Sequence, residues 1–174
     1  MGILKIPQKV KLFCGIIFAN EAYAQKALKI LETKLGSIDS FSNSIVFDFS
    51  NYYNTEMGNK LLRFWVSFKN LIIPNKLIEI KILTNHIEIK LATSTLKKNR
   101  LVNIDPGYVT AANVILATTK NFSHRIYLAN GIYAEVTTMY VHGRFIKLPW
   151  TYNDYMSQTA VNFFSVMRTR LLNF

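Results

Sequence analysis

Apolar residues recur along this chain at two spacings, and the spacing divides it into elements. Val10 to Ala19 is an almost unbroken apolar run and predicts a buried strand. Asn20 then stands as an N-cap before Glu21 to Leu35, where Ala24, Ala27, Leu28, Leu31 and Leu35 form one helical stripe that Gly36 closes. Phe41 to Ser50 carries Ile45, Val46, Phe47 and Phe49 and predicts a strand, with Leu61 to Lys69 as its return partner. A polar, aromatic loop hangs between them.

Pro74 at the first turn of Asn75 to about Glu88 supports a second helix. Ile78, Ile80, Ile82 and then Ile87, Ile89, Leu91 nevertheless alternate as strand residues do. We read a helix followed by a short strand near Ile87 to Thr93, and a further strand around Leu101 to Ile104. Asp105-Pro106 reads as an N-cap with a proline near the first helical position, opening a helix through Val109, Ala112, Leu116 and Thr119. From His124 to Leu148 the pattern is a β-meander, with Asn130-Gly131 as the stronger hairpin signal and His142-Gly143 as the weaker. Asp154 is placed to cap a last amphipathic helix in which Met156, Ala160, Phe163, Phe164, Met167 and Leu171 repeat at helical spacing.

No linker, repeat or low-complexity tract interrupts this series, so residues 1–174 are expected to form a single domain. The expected fold is α+β: a mainly antiparallel sheet with a ferredoxin-like βαββαβ first half, a C-terminal β-meander and a terminal amphipathic helix. A hydrophobic fraction of 50% in 174 residues is ample for a core. The longest nearly uncharged stretches, Leu12 to Asn20 and Thr110 to Thr119, are about half the ~20 apolar residues of a membrane span. Met1 to Pro7 lacks the apolar run of a signal peptide. A cytoplasmic protein with no membrane partner is the expectation.

Charge adds one possibility without settling it. The 21 Lys and Arg outnumber the 10 Asp and Glu, and a net charge of +11 attracts phosphates, RNA or anionic membranes. The lysines are scattered, however, and abundant Ile, Asn and Lys together are what an AT-rich coding sequence produces. The single Cys14, inside an apolar run, reads as a small core residue.

The candidate chemistry gathers in Arg100 to Tyr108, Ser123-His-Arg125 and the Asn130-Gly131 turn. A two-residue turn at Asn130-Gly131 sets Ile126 opposite Glu135 and His124 opposite Thr137. His124 and Glu135 then share a face with Ile126, Met139, Ile146 and Leu148, either as a general base with its orienting acid or as a structural pair. The opposite face receives Arg125, Tyr127, Thr138 and Lys147, a set that suits a phosphate or a solvated edge. Asp105 either caps its helix or, as a second polar group of a catalytic set, lies beside an anion held at the helix start, with Gly107 letting a ligand approach the backbone. In the loop Asn51 to Gly58, Tyr52, Tyr53 and Glu56 are suited to a planar hydrogen-bonding ligand or to plain aromatic packing; Trp150 and Tyr152 form a second aromatic spot. Arg63 and His86 are adequately explained by solvent exposure or a packing hydrogen bond.

Several signatures are missing. The chain has no G-x-x-x-x-G-K-[ST] loop, no G-x-G-x-x-G turn and no G-x-S-x-G elbow, and His86, His124 and His142 lack metal-site spacing. A P-loop nucleotidase, a serine hydrolase or an ordinary zinc enzyme is therefore not expected, and which cofactor, if any, is used is unknown from the sequence.

The blocks Asn51-Tyr-Tyr-Asn-Thr-Glu-Met-Gly58, Val102-Asn-Ile-Asp-Pro-Gly-Tyr108, Ala117-Thr-Thr-Lys-Asn-Phe-Ser-His-Arg-Ile-Tyr127, Gly131-Ile-Tyr-Ala-Glu-Val136 and Leu148-Pro-Trp-Thr-Tyr152 resemble an uncharacterised prokaryotic family, domain of unknown function 4416. The resemblance spans nearly the whole chain. It implies no established activity, and the label GTP-binding protein borne by some members finds little support here. Asn75-Lys76-Leu77-Ile78 lacks the aspartate of N-K-x-D, and Asp105-Pro-Gly is one residue too short for D-x-x-G. The leading expectation is a small anionic, phosphorylated or nucleotide-like ligand beside Asp105 and the meander. Arg125 and Lys147 would neutralise phosphate, and Tyr52 or Trp150 would stack a base. If there is catalysis, His124, Glu135 and Asp105 are its candidates. The alternatives are an RNA-binding module, although neither Val10 to Ala19 nor Leu61 to Lys69 holds an aromatic RNA-binding motif, and a non-catalytic interaction domain docking through Phe163, Phe164 and Met167.

Overall fold

The computed structural model describes residues 2–92 and 99–174. Its first half runs β1 (Val10–Phe18), α1 (Glu21–Leu35), β2 (Ile38–Phe41), β3 (Ile45–Val46), a one-turn α2 (Asn54–Met57), β4 (Leu62–Ile72), a 3-10 turn at Pro74–Lys76 and α3 (Leu77–Leu91). The second half is β5 (Val102–Val109), β6 (Asn113–Thr118), β7 (Ile126–Ala129), β8 (Ile132–Val141), β9 (Arg144–Lys147), a 3-10 turn at Asn153–Met156 and α4 (Gln158–Leu172). The strands form one sheet in the order β2-β4-β1-β5-β6-β8-β7, with β3 on β4 and β9 on β8, and the pairings are antiparallel. The fold is thus α+β with a mainly antiparallel sheet, a C-terminal strand series and a C-terminal helix.

Strand alternation decides which layer each residue joins. Leu12, Cys14, Ile16 and Phe18 of β1 point with Phe64, Val66 and Phe68 of β4 to α1 and α3. Phe13, Trp65, Val109, Val114 and Leu116 point the other way, onto Phe163, Phe164 and Met167 of α4. The α4 face therefore closes a core. Burial pushes the Cys14 thiol up, so it stays protonated and inert.

α1 matches its sequence pattern: the Asn20 side chain accepts from the Ala22 amide at 2.9 Å and Gly36, at φ 96°, ends the helix. α3 continues to Leu91 with no strand near Ile87; the sequence alternates because the helix buries two sides, Ile80 and Ile87 toward α1, and Leu77, Ile78 and Ile82 against Ile115 and Ala117. The expected strand at Phe41 to Ser50 is instead two short pieces on β4, bent at Ser42, whose hydroxyl and amide are bonded to the Trp65 backbone. The expected 87–93 strand reaches into residues outside those described.

The largest correction falls at Asp105. It caps no helix: residues 102–109 and 113–118 are neighbouring strands joined by a tight hairpin. β-branched Val109, Val114 and Ile115 favour a pleated surface once β1 and β8 supply pairing partners. Asp154 is not the cap of α4 either; Ser157 is, accepting from the Ala160 amide at 3.2 Å, while Asp154 turns inward to Arg63.

Candidate functional site

A cleft of about 330 Å³ opens where β5 and β6 part. β6 pairs with β5 only from Val109↔Val114 to Gly107↔Leu116, whereas β5 stays on β1 back to Val102. Pro106 sits where the ladder stops, and it has no N–H to continue one. The outer edge beyond it is capped by α3: the Ile104 amide donates to Glu88 Oε1 at 2.6 Å, and Lys81 Nζ donates to the Ile104 carbonyl at 3.2 Å. Splaying lets side chains from both faces of the sheet meet in one space.

The floor is built on Gly15. Across β4, β1 and β5, Trp65, Gly15 and Asp105 are aligned, as are Arg63, Ile17 and Asn103 one step along. Arg63 lies over the glycine, and a Cβ there would stand 2.5 Å from Arg63 Nη2. The guanidinium, 4% exposed, pairs with Asp154 at 2.5 Å and with Asp105 at 3.5 Å, and donates to the Tyr155 hydroxyl at 2.8 Å. Its carbon is 4.7 Å from the Tyr155 ring centre and 5.0 Å from that of Trp65. These rings offset a buried Nε that has no hydrogen-bond partner among the described residues. Burial raises the Asp154 carboxyl despite Arg63, and raises Tyr155 well above the usual phenol.

Around this floor stand walls of mixed charge. Arg100 bonds Glu56 through Nε at 2.5 Å and Nη2 at 3.2 Å, and its Nη1 donates to Asn103 Oδ1 at 3.1 Å. Asn103 in turn donates to Asp105 Oδ2 at 2.8 Å. Among the described residues, Asp105 Oδ1 has Lys81 as its one charged neighbour, at 3.8 Å. Glu88 is pushed up from 4.5 to about 7, chiefly by burial, against the pull of Lys81 and of the Ile104 amide. It therefore exchanges a proton near neutrality. Lys120 lies 3.7 Å over the Tyr52 ring at the mouth and has no carboxylate partner among the described residues. Hydrogen bonding to Lys120 comes first among the influences that hold the Tyr52 phenol below its ordinary value.

The predicted residues divide. Asp105, Glu135, Tyr52 and Tyr53 line the cleft. Glu56 lies just behind, on Arg100. His124 does meet Glu135, Nε2 to Oε2 at 3.1 Å, but sits behind it, stacked on Trp150 at 5.0 Å with the rings 9° apart. Gly107 faces no ligand space: it is packed against Phe13 and the Ile115 carbonyl.

The expected meander register holds between β8 and β9, where Met139 faces Ile146, and is corrected by a bulge between β7 and β8. Asn130 and Gly131 have the positive φ of the predicted two-residue turn, and Ala129 faces Ile132, but Ile126 then pairs with Ala134, not Glu135, because one residue is skipped at Leu128. Arg125 thereby joins His124 on Glu135, at 2.8 Å, instead of facing away. It also donates to the Lys120 carbonyl and the Tyr152 hydroxyl. Lys147 is apart from it, exposed and bonded to Asn153. Opposite Ala134, Ile126 leaves the Glu135 face, and it is 69% exposed; Met139, also expected among apolar neighbours, is 40% exposed.

Sequence reasoning set Arg63 aside and passed over Lys81, Glu88, Asn103, Lys120 and the inward role of Asp154. Two signals were available. Lys81, Asn85 and Glu88 form a polar stripe at i, i+4, i+7 in an otherwise isoleucine-rich helix. Arg63 interrupts an apolar central strand, where an unpaired charge is not tolerated.

Among the described residues, no group of three or more His, Cys, Asp or Glu side chains is gathered to hold a metal ion, and no helix is long and apolar enough to cross a membrane. Residues 8–171 match a family described as Domain of unknown function (DUF4416), and the chain belongs to that family. Searches of curated proteins and of solved structures each returned no match.

Proposed function

We propose that this member of the DUF4416 family binds a small phosphorylated, nucleotide-like ligand in the cleft between β5 and β6. The observation that carries the reading is Lys120. The other cations of the cleft lie against carboxylates, Arg63 on Asp154 and Asp105, Lys81 near Asp105, and Arg100 on Glu56. Lys120 alone among those lining it lacks one among the described residues, and it stands at the mouth over an aromatic face. A phosphate at Lys120 gains a charge-assisted hydrogen bond without displacing an internal ion pair. Tyr52, half exposed beside it, offers a stacking plane. Asp105 Oδ1 supplies an acceptor for a ligand hydroxyl. The volume is at the lower end of the ~300–1,000 Å³ typical of small-molecule sites. Arg125 and Lys147 leave the phosphate role, one held by Glu135 and the other lying outside the lining.

Thermal unfolding with nucleoside monophosphates, nucleoside triphosphates, sugar phosphates and inorganic phosphate, each with and without magnesium, tests this. A ligand at ~100 times its dissociation constant adds ~2.7 kcal/mol and raises the midpoint by roughly 5–10 °C. The expected result is such a rise for a phosphorylated compound, reduced in Lys120→Ala. A rise that Lys120→Ala leaves intact, or no rise with any compound, refutes it.

A further inference from the structure

We infer that the cleft is the end of a longer surface for single-stranded RNA, the terminal nucleotide entering the cleft and the following bases stacking on the aromatic residues at its mouth; the inference rests on the cleft being a nucleotide site. Two loops form that mouth. One runs from Thr119 to Arg125 and the other from Leu148 to Asn153. Arg125 ties them together, donating to the Lys120 carbonyl at 3.1 Å and to the Tyr152 hydroxyl at 2.7 Å while Glu135 holds its Nε. Phe122, Trp150 and Tyr152 are held by the protein yet open to solvent, and the ring of His124, 12% exposed, lies between Phe122 and Trp150. Phe122 is 65% exposed with its ring edge-on to His124 at 5.4 Å; His124 stacks on Trp150, itself 38% exposed; Tyr152 is 46% exposed and lines the cleft.

Trp150 is fixed by its indole N–H, which donates to the Val136 carbonyl at 2.7 Å. Phe122 and Trp150, both packed on His124, thus make an aromatic ledge beside Lys120 and Tyr152. Exposed aromatic faces beside a cation are the elements with which proteins bind single strands, bases on the rings and phosphates on the cations. A net charge of +11 supplies the long-range attraction for a polyanion. RNA is preferred to DNA because Asp105 Oδ1, in the cleft, offers an acceptor for a ribose hydroxyl that DNA lacks.

Fluorescence anisotropy with uridine monophosphate and oligouridylates up to about ten nucleotides, the span of one such surface, separates the two readings. Stacking on Phe122 and Trp150 is expected to tighten oligomer binding over the mononucleotide by about tenfold per engaged base. Phe122→Ala should remove about tenfold of that ratio and Phe122→Tyr should keep it. Oligodeoxyuridylate of the same length should bind more weakly. If mononucleotide and oligomers bind equally, the ledge is no RNA surface while the cleft remains a nucleotide site. A length gain that Phe122→Ala does not reduce, or equal binding of DNA, also overturns the inference. If nothing binds at any length, the RNA inference falls, while the cleft reading is decided by the thermal panel with the other phosphorylated compounds.

Discussion

Glu88 gives the sharpest test of how the cleft is built. Its carboxyl is 9% exposed, wedged between α3 and the open edge of β5, where it accepts the Ile104 amide and lies 3.9 Å from Arg100. Burial dominates and raises it from 4.5 to about 7. Between those values the unfolded chain carries an ionised Glu88 while the folded protein keeps the proton, so stability falls as pH rises, by about 1.36 kcal/mol per pH unit. The loss begins near pH 4.5, is complete just above pH 7, and totals about 3 kcal/mol. Glu88→Gln retains an acceptor for Ile104 and cannot ionise. Urea unfolding of both proteins across this range, with unchanged slopes against denaturant, isolates the effect. The variant should match the wild type near pH 4.5 and exceed it by about 3 kcal/mol above pH 8. Parallel stability curves would refute the argument, because Lys81, Arg100 and the Ile104 amide would then be compensating the buried charge in full.

The floor of the cleft supports three further expectations. Gly15→Ala places a methyl 2.5 Å from Arg63 Nη2 and 3.0 Å from Trp65 Nε1, and should lower stability by roughly 1–3 kcal/mol by thermal or urea unfolding; an unchanged midpoint would mean that the guanidinium moves freely. Arg63→Ala leaves Asp154, 2% exposed, without its cation and should cost roughly 3–5 kcal/mol, whereas adding Asp154→Ala to it should recover part of that loss in a double-mutant cycle. If the two losses simply add, the pair is not coupled. Arg125→Ala frees Tyr152 from Glu135 and from the Lys120 loop, so amide hydrogen exchange should quicken across both loops at the mouth and not in β1; uniform protection would show that the loops do not depend on Arg125.

Local chemistry was legible where one neighbour decides the outcome. Asn20 and Gly36 bound α1, and Asn130-Gly131 makes its turn, because a cap or a positive φ is set within a few residues. The misread segments are those where a distant partner decides. Asp105-Pro106 carries a valid helix-start signature, yet pairing with β1 and β6 overrides it, and the proline then acts by ending the β5–β6 ladder. A single skipped residue at Leu128 moves Arg125 onto Glu135, a shift the turn sequence does not encode.

The same distinction explains why Arg63 was passed over. Read in sequence, an arginine near the start of a strand belongs in solvent; its burial depends on Gly15 one strand away, Asp105 two strands away and Asp154 at the far end of the chain. None of those residues is informative alone, since a glycine in a strand, an Asp-Pro pair and an acid before a helix each have an ordinary local explanation. Together they leave room for a guanidinium, neutralise it and surround it with rings, which is the condition for holding a charge inside a sheet. The pairing that fills this floor also removes Arg63 from service to a ligand. What remains for recognition is at the rim, where Lys120 has no carboxylate partner among the described residues and the rings of Phe122, Trp150 and Tyr152 are exposed, and that is where substitutions should change binding without unfolding the protein.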